Sequence, residues 1–249
     1  MPESALKNNR LKEYEAEYMQ KEKIIEIKDL SFSYENQNVL KNLNFSVERG
    51  SFLALIGTNG SGKSTLLKLL LGELTPQKGE IYLFGSDITS FRGFDKVGYI
   101  PQAKEFNAGF PATVWEVVCA GLPSSNFLRR PDKKSYAFAD EALKKVGMDK
   151  YKNRLIGALS GGQVQSVILA RLLCSNAQLF LLDEPTNALD AKAIEELMEI
   201  LKQLNEERGI TVLMVTHEIE KALKYMHQVY LMNEGRLYQT QSGSFCGGE

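Results

Sequence analysis

Residues 57 to 65 read Gly57-Thr58-Asn59-Gly60-Ser61-Gly62-Lys63-Ser64-Thr65, between an apolar run, Phe52 to Ile56, and a helical run, Leu66 to Leu71. A strand that turns through three glycines into a helix builds a cradle for phosphate. The backbone folds tightly enough for successive N–H groups to point inward, and the helix adds its unsatisfied amides and positive dipole end. Lys63 is then placed to reach β- and γ-phosphates, and the Ser64 hydroxyl to coordinate Mg2+. The competing reading of the same stretch is an ordinary Gly-rich turn opening a helix.

Outward from the loop, the composition sets bounds. The chain has 249 residues, 43% of them hydrophobic, enough to bury a large core in one or two lobes. A net charge of −1 gives no field that would gather nucleic acid or anionic lipid, so no nucleic-acid partner is expected. No apolar run approaches the roughly 18 residues of a membrane span, and Met1 to Lys23 is too polar for a signal peptide, so the expected location is the cytoplasm. Cys119, Cys174 and Cys246 lack metal-site spacing and read as reduced thiols, and with only His217 and His227 a zinc site in this chain is not expected.

Periodicity divides the chain. Residues 1 to 22 are polar, with Leu11, Tyr14 and Tyr18 spaced for one thin helical stripe, and read as a weakly ordered extension. Short strands follow at Ile24 to Ile27, Ser31 to Tyr34, Phe45 to Glu48, Phe52 to Ile56, Glu80 to Phe84 and Lys96 to Ile100, with a turn at Gly85-Ser86-Asp87. From Pro111 to about Gly157 the pattern is helical. Thr113 to Glu116 has capping-box spacing before a helix through Cys119, and Phe138, Ala142 and Val146 mark another helix beyond the basic loop Leu128 to Pro131. Then apolar strands at Leu179 to Leu182, Thr211 to Val215 and Val229 to Met232 alternate with helices at Ala191 to Leu204 and Glu218 to Tyr225, the pattern of a parallel sheet covered on both faces.

Two further motifs carry chemistry. Phe180-Leu181-Leu182-Asp183-Glu184 is an apolar strand ending in two acids: Asp183 to hold Mg2+ and Glu184 to orient or deprotonate a water beside the γ-phosphate. Adjacent acids after a strand also occur simply as a helix N-cap region. Leu159-Ser160-Gly161-Gly162-Gln163 opens the apolar helix Val164 to Leu173 and, beyond an ordinary capped start, makes a second anion site of hydroxyl and amides. Two phosphate sites about a hundred residues apart make sense if Ser160, Gly161, Gly162 and Gln163 serve the nucleotide of a second copy.

In this order the motifs resemble the ATP-binding cassette family over nearly all of residues 24 to 235, from Tyr34 and the Gly57 to Thr65 loop through Gln102, Leu159 to Gln163, Asp183 with Glu184, and Asn187-Ala188-Leu189-Asp190, to His217. The resemblance implies an α/β fold, a P-loop NTPase of the ABC type, with a RecA-like core, an antiparallel β lobe and a helical subdomain. It places an extension at 1–22, the ATPase domain at 23–241 with the helical subdomain at about 103–172, and a tail at 242–249. It also implies ATP and Mg2+ as cofactors. By resemblance Tyr34 stacks on adenine, Gln102 senses Mg2+ and the attacking water, Asp190 crosses a dimer interface, and His217 contacts the γ-phosphate. Each alone has a bland reading: Tyr34 as core, Gln102 as a loop amide, His217 as a strand-end histidine.

Phe106 to Val114 looks like the segment after the glutamine loop in zinc and manganese uptake cassettes, although the same residues could simply pack the helical lobe with Trp115 and Val118. Ser166 departs from the family pattern, standing where Arg is usual, so a guanidinium near the interface is lost. The function implied is the ATPase subunit of a transition-metal importer, zinc before manganese, on the inner face of the membrane. Its partners would be a second copy of itself, membrane permease subunits docked against Gln102 to Leu122, and indirectly an extracellular metal-binding protein. An ABC ATPase for another solute, or one acting on DNA or ribosomes, is the alternative.

Overall fold

The computed structural model describes residues 22–35, 37–102, 111–123, 132–187, 189–217 and 224–240. Two sheets organise the chain. The first has the order β2-β1-β4-β5 and is antiparallel throughout, formed by β1 Lys23–Tyr34, β2 Gln37–Glu48, β4 Lys78–Leu83 and β5 Ser86–Asp87. The second comprises β3 Phe52–Ile56, β6 Val97–Ile100, β7 Leu179–Asp183, β8 Thr211–Val215, β9 Gln228–Asn233 and β10 Arg236–Thr240, in the order β10-β9-β3-β8-β7-β6. Its ladders are parallel except between β9 and the edge strand β10. This is the expected α/β architecture.

Strands β3, β7 and β8 are buried at every position, so their sequences read as unbroken apolar runs rather than alternations. Helix α1, Lys63–Leu70, packs Leu66, Leu67, Leu69 and Leu70 against both sheets in one core with Leu53, Leu55, Leu181, Leu213 and Val215. The alternate positions of the same strands, Phe52, Phe180, Leu182, Val212 and Met214, face a second core with three further helices: α2 Val114–Cys119, α3 Lys133–Lys145 and α4 Gly161–Leu173. Each fully buried aliphatic side chain contributes about 1.5–3 kcal/mol on leaving water, so the loop leading into α1 is anchored from two sides.

Several local expectations are corrected. Ile24 to Ile27 and Ser31 to Tyr34 belong to one strand, β1, interrupted by a bulge where Asp29 takes a φ of 48° and exchanges side-chain and backbone hydrogen bonds with Asn44. Strand β2 begins at Gln37 rather than Phe45, its alternation hidden by the positive φ of Asn42. Ser86-Asp87, read as turn, pairs as a two-residue strand, and β10 was not anticipated. The buried stripe of α3 is Ala139, Ala142 and Leu143, with Phe138 at 37% exposure facing outward. Helix α5, Ala191–Arg208, runs past Leu204 to stop at Gly209, whose φ of 64° makes the left-handed cap. Cys119 and Cys174 are free thiols, and burial pushes Cys174 up to about 11. The polar extension through Lys21, the basic loop, the 218–223 part of the last expected helix, the tail and Cys246 lie outside the described residues. No helix among those described is long and apolar enough to cross a membrane.

Candidate active site

The Gly57 to Thr65 loop lines a cleft of about 890 Å³. Glycine is required at its two ends. A Cβ on Gly57 would stand 2.2 Å from the Met232 carbonyl oxygen of β9, and one on Gly62, where φ is 110°, would stand 2.7 Å from Leu40 Cδ2 of β2. The loop is therefore clamped between the two sheets. Lys63 opens α1 at only 5% exposure, and its ammonium donates to the carbonyls of Gly57 and Thr58 at 2.8 Å each. Burial pulls Lys63 below the usual lysine range, opposed by the fields of Glu184 and Asp183. A cation held among carbonyls, beside amides at a helix start, is suited to an anion with several charges. Ser61 lies beneath the loop with its hydroxyl buried and without a hydrogen-bond partner among the described residues.

Facing the loop are groups from the carboxyl ends of the parallel strands, the usual ligand side of such a sheet. Ile100 pairs beside Leu182, and Asp183 beside Val215, which in turn pairs beside Leu55. That register places Gln102, Asp183 with Glu184, and His217 at one rim although they come from distant parts of the chain. Gln102 Nε2 donates to Glu184 Oε2 at 2.6 Å, and His217 Nδ1 lies 3.9 Å from Glu184 Oε1. Asp183 is 5% exposed at the end of β7. Glu184 has a φ of 48°, a conformation costing on the order of 1 kcal/mol for a non-glycine residue. Its N–H donates to the Val215 carbonyl at 3.0 Å, which helps hold the turn.

Other expected residues stand apart from this cleft. Ser160 to Gln163 are not among its lining groups; Ser160 and Gln163 form a reciprocal capping box at the start of α4, with Ser160 and Gly161 exposed. Asp190 accepts from the Ala193 N–H at 2.8 Å and caps α5. Tyr34 is 42% exposed and packed edge-on to Phe32; it is not among the lining groups of the cleft, although its strand partner Gln37 is. Ser166 Oγ donates back to the Gly162 carbonyl at 3.1 Å within α4. Phe106 to Phe110 lie outside the described residues.

Residues 40–187 match the family described as ABC transporter. The zinc uptake system ATP-binding protein ZurA of Listeria innocua is 44% identical over 85% of this chain and 83% of its own length. The manganese transport system ATP-binding protein MntB of Bacillus subtilis is 37% identical over 84% of this chain and 83% of its own. The chain belongs to the ABC transporter family. Among solved structures, the dimeric ATP-binding cassette MJ0796 in a post-hydrolysis state, bound to ADP and Pi, superimposes with a TM-score of 0.78 at 29% identity, covering 89% of this chain and 100% of that one.

This ABC cassette is thus an ATP-binding and ATP-hydrolysing chain. Its cleft also recruits three residues that sequence reasoning did not single out: Gln37, Val39 and Asn187. Gln37 and Val39 belong to the part of β2 whose alternation is broken. Asn187 was noted only as part of a motif, and the signal that would have found it is its place three residues after Glu184, within one turn.

Proposed function

We propose that this chain is the ATP-hydrolysing subunit of an importer for a transition metal, zinc first and manganese next. The observation that carries the metal class is the 44% identity to a zinc uptake ATP-binding protein across most of both chains. The hydrolytic roles rest on the cleft, where Lys63, Gln102, Glu184 and His217 meet beside the glycine loop.

The donors available for Mg2+ are the Ser64 hydroxyl, the Asp183 carboxylate and the Gln102 amide oxygen, hard oxygen ligands of the kind that ion takes. When bound, Mg2+ neutralises charge developing on the β- and γ-phosphates. Lys63 adds a fixed positive charge to those phosphates, and the amides of Gly60 to Thr65 hold them. Tyr34, the strand partner of the cleft-lining Gln37, stacks on adenine. Glu184 orients the attacking water and accepts its proton as the γ-phosphoryl transfers and ADP leaves, while His217 contacts the γ-phosphate. The Ser160 to Gln163 segment, exposed at Ser160 and Gly161, and Asp190 act on the nucleotide of a second copy, so two chains close on two ATP molecules.

Closure is transmitted to permease subunits in the membrane, with this chain on their cytoplasmic face. Supporting a docking site is a groove of about 770 Å³ between the edge strand β6, the segment that follows α2 and helix α4, lined by Tyr99, Pro101, Leu122, Arg171 and Ser175. It adjoins Gln102, which couples the nucleotide to the helical subdomain at about 103–172 of a 23–241 ATPase domain. The extension at 1–22 and the tail at 242–249 stand outside that domain. The metal passes through the permease after delivery by an extracellular binding protein. The test is zinc and manganese accumulation, measured separately in a strain lacking this chain. Loss of zinc uptake alone is expected; unchanged uptake of both metals overturns the reading, as would co-purification with DNA or ribosomes in place of a membrane subunit.

A further inference from the structure

Glu184 is restrained by its own turn as well as by the strand ends. The Asn187 N–H donates to the Glu184 carbonyl at 3.3 Å, and the Asn187 side-chain amide Nδ2 donates to Glu184 Oε2. That oxygen also accepts Gln102 Nε2 at 2.6 Å, so two amide donors from separate segments end on the same carboxylate oxygen. The other oxygen, Oε1, accepts neither of them and has His217 Nδ1 at 3.9 Å. Asn187 itself lines the nucleotide cleft.

A glutamate has broad freedom about its last torsion, so a carboxylate at the end of a positive-φ residue presents either oxygen unless something selects one. Two donors on Oε2 make that selection. They are neutral, so they fix orientation without cancelling the charge that makes the group a base, and they sit on opposite sides of it in the chain, one after β6 and one after β7.

We propose that Asn187 is a positioning residue for hydrolysis: with Gln102 it fixes Glu184 Oε2 so that Oε1 is the oxygen presented to the attacking water. This rests on Glu184 serving as the base, and orientation of such a group is what a near-attack geometry demands. It assigns Asn187 a role within its own chain, distinct from contact with a second copy.

The test uses the full-length chain and three variants. Asn187→Asp keeps the shape but replaces the donor by a carboxylate facing Glu184; Asn187→Ser keeps a shorter donor; Asn187→Ala keeps none. Expected is a kcat lower by about 10- to 100-fold for Asp and about tenfold for Ala, with Ser clearly above Ala, as loss of a charge-assisted hydrogen bond implies. Affinity for a fluorescent ATP analogue with Mg2+ should stay within about twofold in all three, because a positioning role does not touch ground-state binding. Equal turnover for Ser and Ala, or a loss of nucleotide affinity as large as the loss of kcat, would overturn the proposal in favour of simple support of the turn. Should Asn187→Asp fail to fold, the Ser and Ala pair decides it alone. Glu184→Gln is assayed in parallel: if that variant retains turnover, the assignment of the base has failed, whereas an inactive Glu184→Gln beside a fully active Asn187→Ala removes only the role of Asn187.

Discussion

The Lys63 ammonium rests 2.8 Å from two loop carbonyls, with Asp183 and Glu184 close enough to offset part of its burial. Those carbonyls take two of its three N–H donors and carry no net charge, so the group keeps a donor and its full charge for phosphate oxygens. Lys63→Ala is therefore expected to abolish Mg-ATP hydrolysis, because transfer loses its fixed positive charge at the β- and γ-phosphates. Phosphate release at near-normal rate from the purified variant would contradict this. Glu184→Gln keeps the shape of the side chain and removes its basicity. It should bind ATP yet hydrolyse it slower by roughly 10² to 10⁴, so that ATP-bound dimers accumulate. Sizing with Mg-ATP that finds only monomer at high protein concentration would leave the two-copy arrangement without support.

At the scale of elements, local signals do well where a side chain caps its own helix. The Thr113 capping box was expected from four residues and is present: the Thr113 N–H donates to Glu116 Oε2 at 2.8 Å, and the Glu116 N–H to Thr113 Oγ1 at 3.3 Å. A further anchor ties the same helix to the segment before α4, since the N–H groups of Val114 and Trp115 donate to the carbonyls of Arg154 and Lys152. Thr113→Ala should cost about 1 kcal/mol, which in a chain of this size lowers the melting midpoint by about 2–4 °C. A calorimetric scan with no shift would mean that the tertiary anchor alone fixes the helix start. Where backbone irregularity intervenes, local signals fail: the bulges at Asp29 and Asn42 break the period-2 pattern, which is why β1 reads as two strands and all of β2 before Phe45 escapes notice.

For the whole molecule, the groove between β6, the segment after α2 and helix α4 offers the exposed Arg171 at the last turn of α4. Arg171→Glu reverses a charge on the proposed docking face and opposes the helix dipole by only about 0.3–1 kcal/mol. Metal uptake by the assembled transporter should fall about tenfold, and less permease should co-purify, while the isolated chain melts within a few degrees of the parent. Unchanged uptake with intact assembly would place the docking surface elsewhere. The glycine loop, the paired acids after an apolar strand, the serine-glycine helix start and the alternation of apolar strands with helices were all legible in the sequence, because each is a local requirement: φ freedom, a donor at a helix start, burial on both faces. What only the tertiary structure decided is which of them meet. The register of β6, β7, β8 and β3 brings Gln102, Glu184 and His217 to one rim facing Lys63, leaves Ser160 to Gln163 off it, and adds Asn187. Strand order in a parallel sheet is set by the packing of two cores against its two faces, and no stretch of sequence carries that packing by itself.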